Sequence, residues 1–310
     1  MKSILLAVTL LFPINLLADS SALILRGVAG DEEHAEKFTK WAEETRKALV
    51  DKFGFSADRV TVLADKMTAQ AEIKKTFAAL KGQLKPLDTL FVFFIGHGSG
   101  EGDYKFNISG PDLTAADYNM LLNSLAVGRI VIVNGTNSSG GAIETLAGKN
   151  RVIVTATRSG QEGNDTVFYQ YFVEGLQKVD ADEDKDQKIS VWEAFKYASA
   201  GVDRFYKEEG RLVTEHPQIS DNGAAKTNAA SKEVPLLART LVFQVDRPVV
   251  TNDPILAALL KEKKDLEQKI EALRIGKSGI PEPEYEKQME DLLVQLALKN
   301  QQIKAQETKK

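Results

Sequence analysis

Along the first two thirds of the chain, short continuous apolar runs alternate with longer stretches in which apolar residues recur every three or four positions. The runs "ALILRGVAG" from Ala22, "RVTVLAD" from Arg59, "DTLFVFFIG" from Asp88, "RIVIVNG" from Arg129 and "RVIVTATRSG" from Arg151 read as buried strands. Between them, residues 31–53 put Phe38, Trp41, Ala42, Leu49 and Phe53 on one helical face, and residues 69–84 predict the next helix. Residues 114–125 form another, opened by Thr114 and Asp117 as a capping box, and shorter helices are expected over 141–146 and 166–177. Strands alternating with helices of this length predict a three-layer α/β fold, a mostly parallel sheet with helices on both faces.

Ligands of such sheets bind at the carboxyl ends of the strands, where the strand order reverses. The residues at that edge are Arg26-Gly27, Gly96-His97-Gly98, Asn134-Gly135-Thr136 and Thr157-Arg158-Ser159-Gly160. If the topology holds, His97 and the loop "NGTNSSGG" from Asn134 become neighbours in space. The whole α/β domain is expected over residues 22–218.

Beyond it the pattern changes. Residues 219–233, "ISDNGAAKTNAASKE", read as a polar linker, and "ARTLVFQV" from Ala238 reads as a late strand within the connecting segment 219–252. Leu256, Leu259, Leu266, Ile270 and Leu273 then fall at heptad spacing, with Lys263 in one core position. "RIGKSGIPEPE" breaks the helix, and Tyr285, Met289, Leu292, Leu296 and Ile303 make a second stripe interrupted by Lys299. Residues 253–307 are therefore expected to form an antiparallel helical hairpin or a coiled coil, the latter a route to a homo-oligomer.

Composition narrows the function. The chain has 310 residues, 43% of them hydrophobic, enough for a sizeable core, and its formal net charge of -4 argues against nucleic acid as a partner. Met1-Lys2-Ser3 followed by "ILLAVTLLFPINLLA" has the pattern of a signal peptide, residues 1–18, which implies export to a periplasm or the exterior. That run is shorter than the roughly 20 residues a membrane span needs, and Pro13 interrupts it; no later segment reads as a span. Cysteine is absent, which excludes disulfides, a lipid-bearing cysteine and every thiol mechanism. No glycine signature for a nucleotide cofactor is present.

Two stretches carry candidate chemistry. In "FFIGHGSG", Phe93 to Gly100, a buried strand ends at His97 between two glycines, so the backbone can turn sharply and leave the imidazole uncovered. The Gly/Ser/Thr-rich turn after the next strand offers backbone N–H groups for an oxyanion hole or an anion nest. The pairing of "HGSG" with a small-residue Ser-Gly turn, on this strand order, resembles the caspase-fold cysteine peptidases, legumain-like members in particular. The resemblance covers roughly residues 22–209. It implies a His-Gly after the third strand, matched by His97 and Gly98, and a cysteine nucleophile followed by Ser-Gly after the fourth.

That cysteine is missing here. Aligned on Asn134 the position falls on Thr136, and aligned without a gap on Ser139-Gly140 it falls on Asn137. The resemblance further implies that residues ending the first and fifth strands, Arg26 and Arg158, shape a substrate pocket; a surface ion pair is the alternative for Arg158. A hydroxyl is far less acidic than a thiol and needs a well-placed base. The expectation is a peptidase-like fold that has become a binding or scaffolding module for a protein or peptide; the alternative is a hydrolase using Thr136, Ser138 or Ser139 with His97.

The second stretch is "DEDKDQKISVWE", residues 182–193, with the spacing of an EF-hand loop. Asp182, Asp184 and Asp186 occupy positions one, three and five, Lys188 offers its carbonyl, Ser190 is ninth and Glu193 closes the cage, so calcium is the expected ion. Gln187 stands where glycine usually supplies a positive backbone angle, at a cost of about 1 kcal/mol or more. With no second loop to pair with, a structural ion is expected; the alternative is a solvated turn in which Ser190 and Glu193 cap the next helix. His34 and His216 sit in polar surroundings without metal-ligand spacing, and no zinc site is assigned. Trp41 and Trp192 read as core.

Overall fold

The computed structural model describes residues 19–100, 102–232, 235–245, 251, 253–276 and 280–307. The segment read as a signal peptide lies outside them. Five parallel strands, β1 (Ser20–Arg26), β2 (Val60–Ala64), β3 (Thr89–Ile95), β7 (Arg129–Asn134) and β8 (Arg151–Thr155), and one antiparallel edge strand, β9 (Gln218–Asp221), form a sheet in the order β2-β1-β3-β7-β8-β9. Strands β4 (Gly98–Ser99), β5 (Lys105–Phe106) and β6 (Leu113–Thr114) make a small antiparallel sheet directly after β3.

The strand residues are apolar on both faces because both faces are covered, as parallel sheets require. Ala22, Ile24, Phe91 and Phe93 point into one core with α1 (Glu32–Lys47), α5 (Phe168–Gln177) and α6 (Val191–Glu208). Leu23, Leu25, Leu90, Val92 and Phe94 point into the other with α2 (Gln70–Gln83), α3 (Ala115–Asn123) and α4 (Ile143–Leu146). This is the expected three-layer α/β fold. The chain leaves β1 to one side for β2 and returns to its other side for β3, so the reversal of strand order lies between β1 and β3, and the carboxyl ends of those two strands are the place for a site.

Local signals behave as read. Phe38, Trp41, Ala42, Leu49 and Phe53 are all buried, and α1 runs on into a π-helical turn, Ala48–Lys52. The capping box of Thr114 and Asp117 opens α3.

The segment after α6 departs from expectation. Residues 219–233 do not start as a linker: residues 218–221 are β9, whose Asp221 carboxylate accepts from the N–H groups of Leu237 and Ala238 and so caps a short helix, α7 (Leu236–Thr240). The late strand is not a strand of the main sheet. Its first residues are helical, and residues 241–243 instead pair with the backbone of residues 189–191, with bonds from Phe243 N to Ile189 O (2.9 Å) and from Val191 N to Leu241 O (2.8 Å). Phe243 is fully buried between Phe53, Phe91 and Phe172, which anchors that pairing in the core.

The last two helices, α8 (Pro254–Gly276) and α9 (Glu282–Glu307), lie antiparallel: Gln306 donates to Asp253 at 3.0 Å and Lys299 pairs with Glu262 at 2.5 Å. Lys299, a break in the apolar stripe, is thus an inter-helix ion pair. No helix among the described residues is long and apolar enough to cross a membrane.

Candidate functional site

The glycines of "FFIGHGSG" are required by the backbone. Gly96 has φ +149°, and a Cβ on Gly98 would lie 2.7 Å from Asn137 O, Thr136 Oγ1 and the Tyr104 ring alike. The loop after β7 is therefore packed directly on the His-Gly turn, as the topology implied, and Asn137 seals the contact. Its carboxamide accepts from Gly98 N (3.0 Å) and donates to Gly98 O (2.9 Å) and Gly163 O (3.1 Å).

Thr136 is fully buried. Its hydroxyl donates to Asn134 Oδ1 (2.9 Å) and lies 2.8 Å from the Tyr104 hydroxyl, itself pushed up to about 12 by burial. Ser139 is also fully buried and accepts from the backbone of Ala156 and Thr157, and Ser138 is buried with φ +59°. None of these hydroxyls is hydrogen-bonded to His97.

The imidazole of His97 turns the other way. Its Nε2 lies 3.0 Å from Ala29 O; a carbonyl only accepts, so Nε2 carries the proton and the neutral ring presents an unprotonated Nδ1. Nδ1 lies 3.7 Å from Asp165 Oδ1, and the ring stands edge-on to Phe38 and to His34, whose centroid is 4.7 Å away. His34 bonds to Asp31 through Nδ1 (2.8 Å) and to Asp165 through Nε2 (3.0 Å); the hydrogen-bonded Asp31 carboxylate raises its ring above the usual range, with Asp165 adding to the effect. His34, set aside on its sequence surroundings, is thus a member of the site. Adjacency of β1 and β3 brings it there, because it lies on the first turn of the helix that follows β1 while His97 follows β3.

Neither arginine is turned into this recess. Arg26, expected to shape a substrate pocket, is buried and its guanidinium is paired with Asp65. Arg158 is exposed and pairs with Glu162 at 3.0 Å, the surface ion pair named as its alternative; Glu162 also accepts from His216 Nδ1 at 2.6 Å.

The 182–193 loop has its own geometry. Asp182 accepts from the N–H groups of Asp186 (3.1 Å) and Gln187 (2.8 Å), and Asp186 from that of Lys188 (2.8 Å). Lys185 and Gln187 hold φ of +59° and +67°. Ligand atoms of Asp182, Asp184 and Glu193 lie within 4.8 Å of one another, whereas Asp186 is outside that group. Ser190 and Glu193 form the capping box of α6. Burial pushes the Glu193 carboxyl up, but hydrogen bonds from Ser190, Glu183 and Asp184 outweigh it and hold the group below its ordinary range. The loop is not unpartnered, since residues 241–243 stand beside it in place of a second loop.

No family model matches the chain, and no curated protein does. Among solved structures, protein GSU0716 from Geobacter sulfurreducens is similar at a TM-score of 0.48 and 13% identity, over 74% of this chain and the whole of that one.

Proposed function

We propose that this is an exported, caspase- or legumain-like protein without peptidase activity, acting as a calcium-stabilised binding or scaffolding module for a protein or peptide. The observation that carries the reading is Asn137. At one of the two positions where the resemblance calls for a nucleophile stands a carboxamide that is no nucleophile and is committed to structure, accepting from Gly98 N and donating to Gly98 O and Gly163 O. Thr136, the other position, is buried and bonded to Asn134. Fluorogenic peptides carrying Asn, Asp, Arg or Lys at the cleavage position test this: no turnover is expected from the wild type, and turnover that His97→Ala abolishes would overturn it.

Calcium is the second part of the proposal. Asp182, Asp184 and Glu193 would hold the ion, with Asp186, Ser190 and the Lys188 carbonyl completing the shell, and the pairing with residues 241–243 would pass the stabilisation to the core. An upward shift of the melting temperature in calcium, absent in Asp182→Ala, is expected; no shift in the wild type sinks this part. Self-association through α8 and α9 belongs to the scaffolding reading. Exposed Leu293, Val294 and Leu298 on α9 support it, and light scattering of the chain with and without residues 253–307 tests it.

A further inference from the structure

We propose that His34, His97 and Asp165 form a binding site for a divalent transition-metal ion such as Zn2+, at the carboxyl ends of β1 and β3. One ligand atom from each residue lies within 4.8 Å of the others. A tetrahedral site with metal–ligand distances of about 2.0–2.1 Å has its donors roughly 3.4 Å apart. The two rings approach the Asp165 carboxylate from either side, His34 Nε2 at 3.0 Å from Oδ2 and His97 Nδ1 at 3.7 Å from Oδ1, so one carboxylate oxygen and both ring nitrogens need only close in from within 4.8 Å to reach that value.

The outer atoms of both rings are fixed as metal-bound histidines require. Such a ring donates its far N–H to a carboxylate or a backbone carbonyl, and this sets the tautomer that faces the ion. His34 Nδ1 meets the Asp31 carboxylate, and His97 Nε2 meets Ala29 O. The inner atoms then converge. With Nε2 bonded to Ala29 O, His97 Nδ1 faces an Asp165 oxygen across 3.7 Å, and a metal ion between them would take a lone pair from each. The proton between His34 Nε2 and Asp165 leaves when the ion binds.

Size and surroundings agree. The recess bounded by these residues, Asn137 and Thr166 has about 10 Å³ of free space, close to the room needed for one small guest. Lys37 also borders it, but its ammonium lies over the Trp41 ring at 4.8 Å. Two imidazoles and one carboxylate, with no thiolate, suit Zn2+, Co2+ or Ni2+ over calcium. The Asp165 side chain is 59% exposed, which leaves a fourth position open to water or to a ligand atom. The inference is independent of the calcium loop and of the binding role proposed above.

The test is calorimetric titration of chelator-treated, tag-free full-length protein with zinc chloride, with cobalt chloride in parallel to read the tetrahedral absorption band. Saturable binding of one ion is expected, unchanged in Asp182→Ala. Asp31→Asn should weaken it about tenfold to a hundredfold, and His34→Gln and Asp165→Asn at least as much. No saturable binding by the wild type, or binding that Asp165→Asn leaves unchanged, overturns the proposal; because Asp165 is exposed, that variant decides even if His34→Gln does not fold.

Discussion

The molecule carries two polar clusters built in opposite ways. The 182–193 loop draws its acidic residues from one contiguous stretch, and the hydrogen bonds accepted by Asp182, Asp184, Asp186 and Glu193 come from residues at most ten apart. The His97 recess draws on residues 29–34, 97, 137 and 165, joined only when β1, β3 and β7 lie side by side. The loop's chemistry is a property of its sequence, whereas the recess's chemistry is a property of the sheet. The two also differ in what is free. In the recess the hydroxyls and Asn137 are committed to structure and only His97 Nδ1 lies beyond hydrogen-bond distance of its neighbour, 3.7 Å from Asp165, while in the loop ligand atoms of three carboxylates lie within 4.8 Å of one another.

The largest way to break this contrast is to undo what ties the loop to the core. Phe243→Ala should cost about 4 kcal/mol, read by denaturant melts, because a fully buried ring between three others is lost; a cost below about 1 kcal/mol would mean the segment is not docked. Helix α5 runs from the recess towards the loop, and its first N–H groups, Val167 and Phe168, are held by the buried Glu215. Burial pushes that carboxyl up from 4.5 to about 7, against the opposing pull of those N–H donors. The fold therefore favours the protonated form. The contribution is complete below about pH 4.5 and is lost as pH rises to 7, up to about 3 kcal/mol, and Glu215→Gln should flatten that slope.

Asn137→Ala strips the clamp from Gly98 and should cost about 2 kcal/mol without creating peptide hydrolysis; a neutral effect would show that the clamp is incidental. The smallest expected change sharpens the loop. Gln187→Gly relieves a positive φ of +67° and should raise stability by about 1 kcal/mol, read by denaturant melts, and the calcium proposal adds that it should tighten binding in a calcium titration.

Strands and helices whose signal is local were legible: β3 is seven consecutive buried residues, and the boxes Thr114/Asp117 and Ser190/Glu193 mark their helix starts. Strand β9 was not, because Gln218, Ser220 and Asp221 are polar and only its place against β8 makes it a strand. The pairing of residues 241–243 with 189–191 and the approach of His34 to His97 are long-range contacts without a local signature. His34 had one available cue, its position just after β1, which becomes informative only once β1 and β3 are known neighbours. Arg26 ended a strand at the right edge, yet Asp65, brought beside it by the pairing of β1 with β2, takes its guanidinium.

The most direct test of the account is the intact mass of the protein after incubation with a fluorophosphonate, which labels activated hydroxyl nucleophiles. The mass should be unchanged, because Thr136, Ser138 and Ser139 are buried and none is hydrogen-bonded to His97. A stoichiometric adduct on any of the three, prevented by His97→Ala, would contradict it.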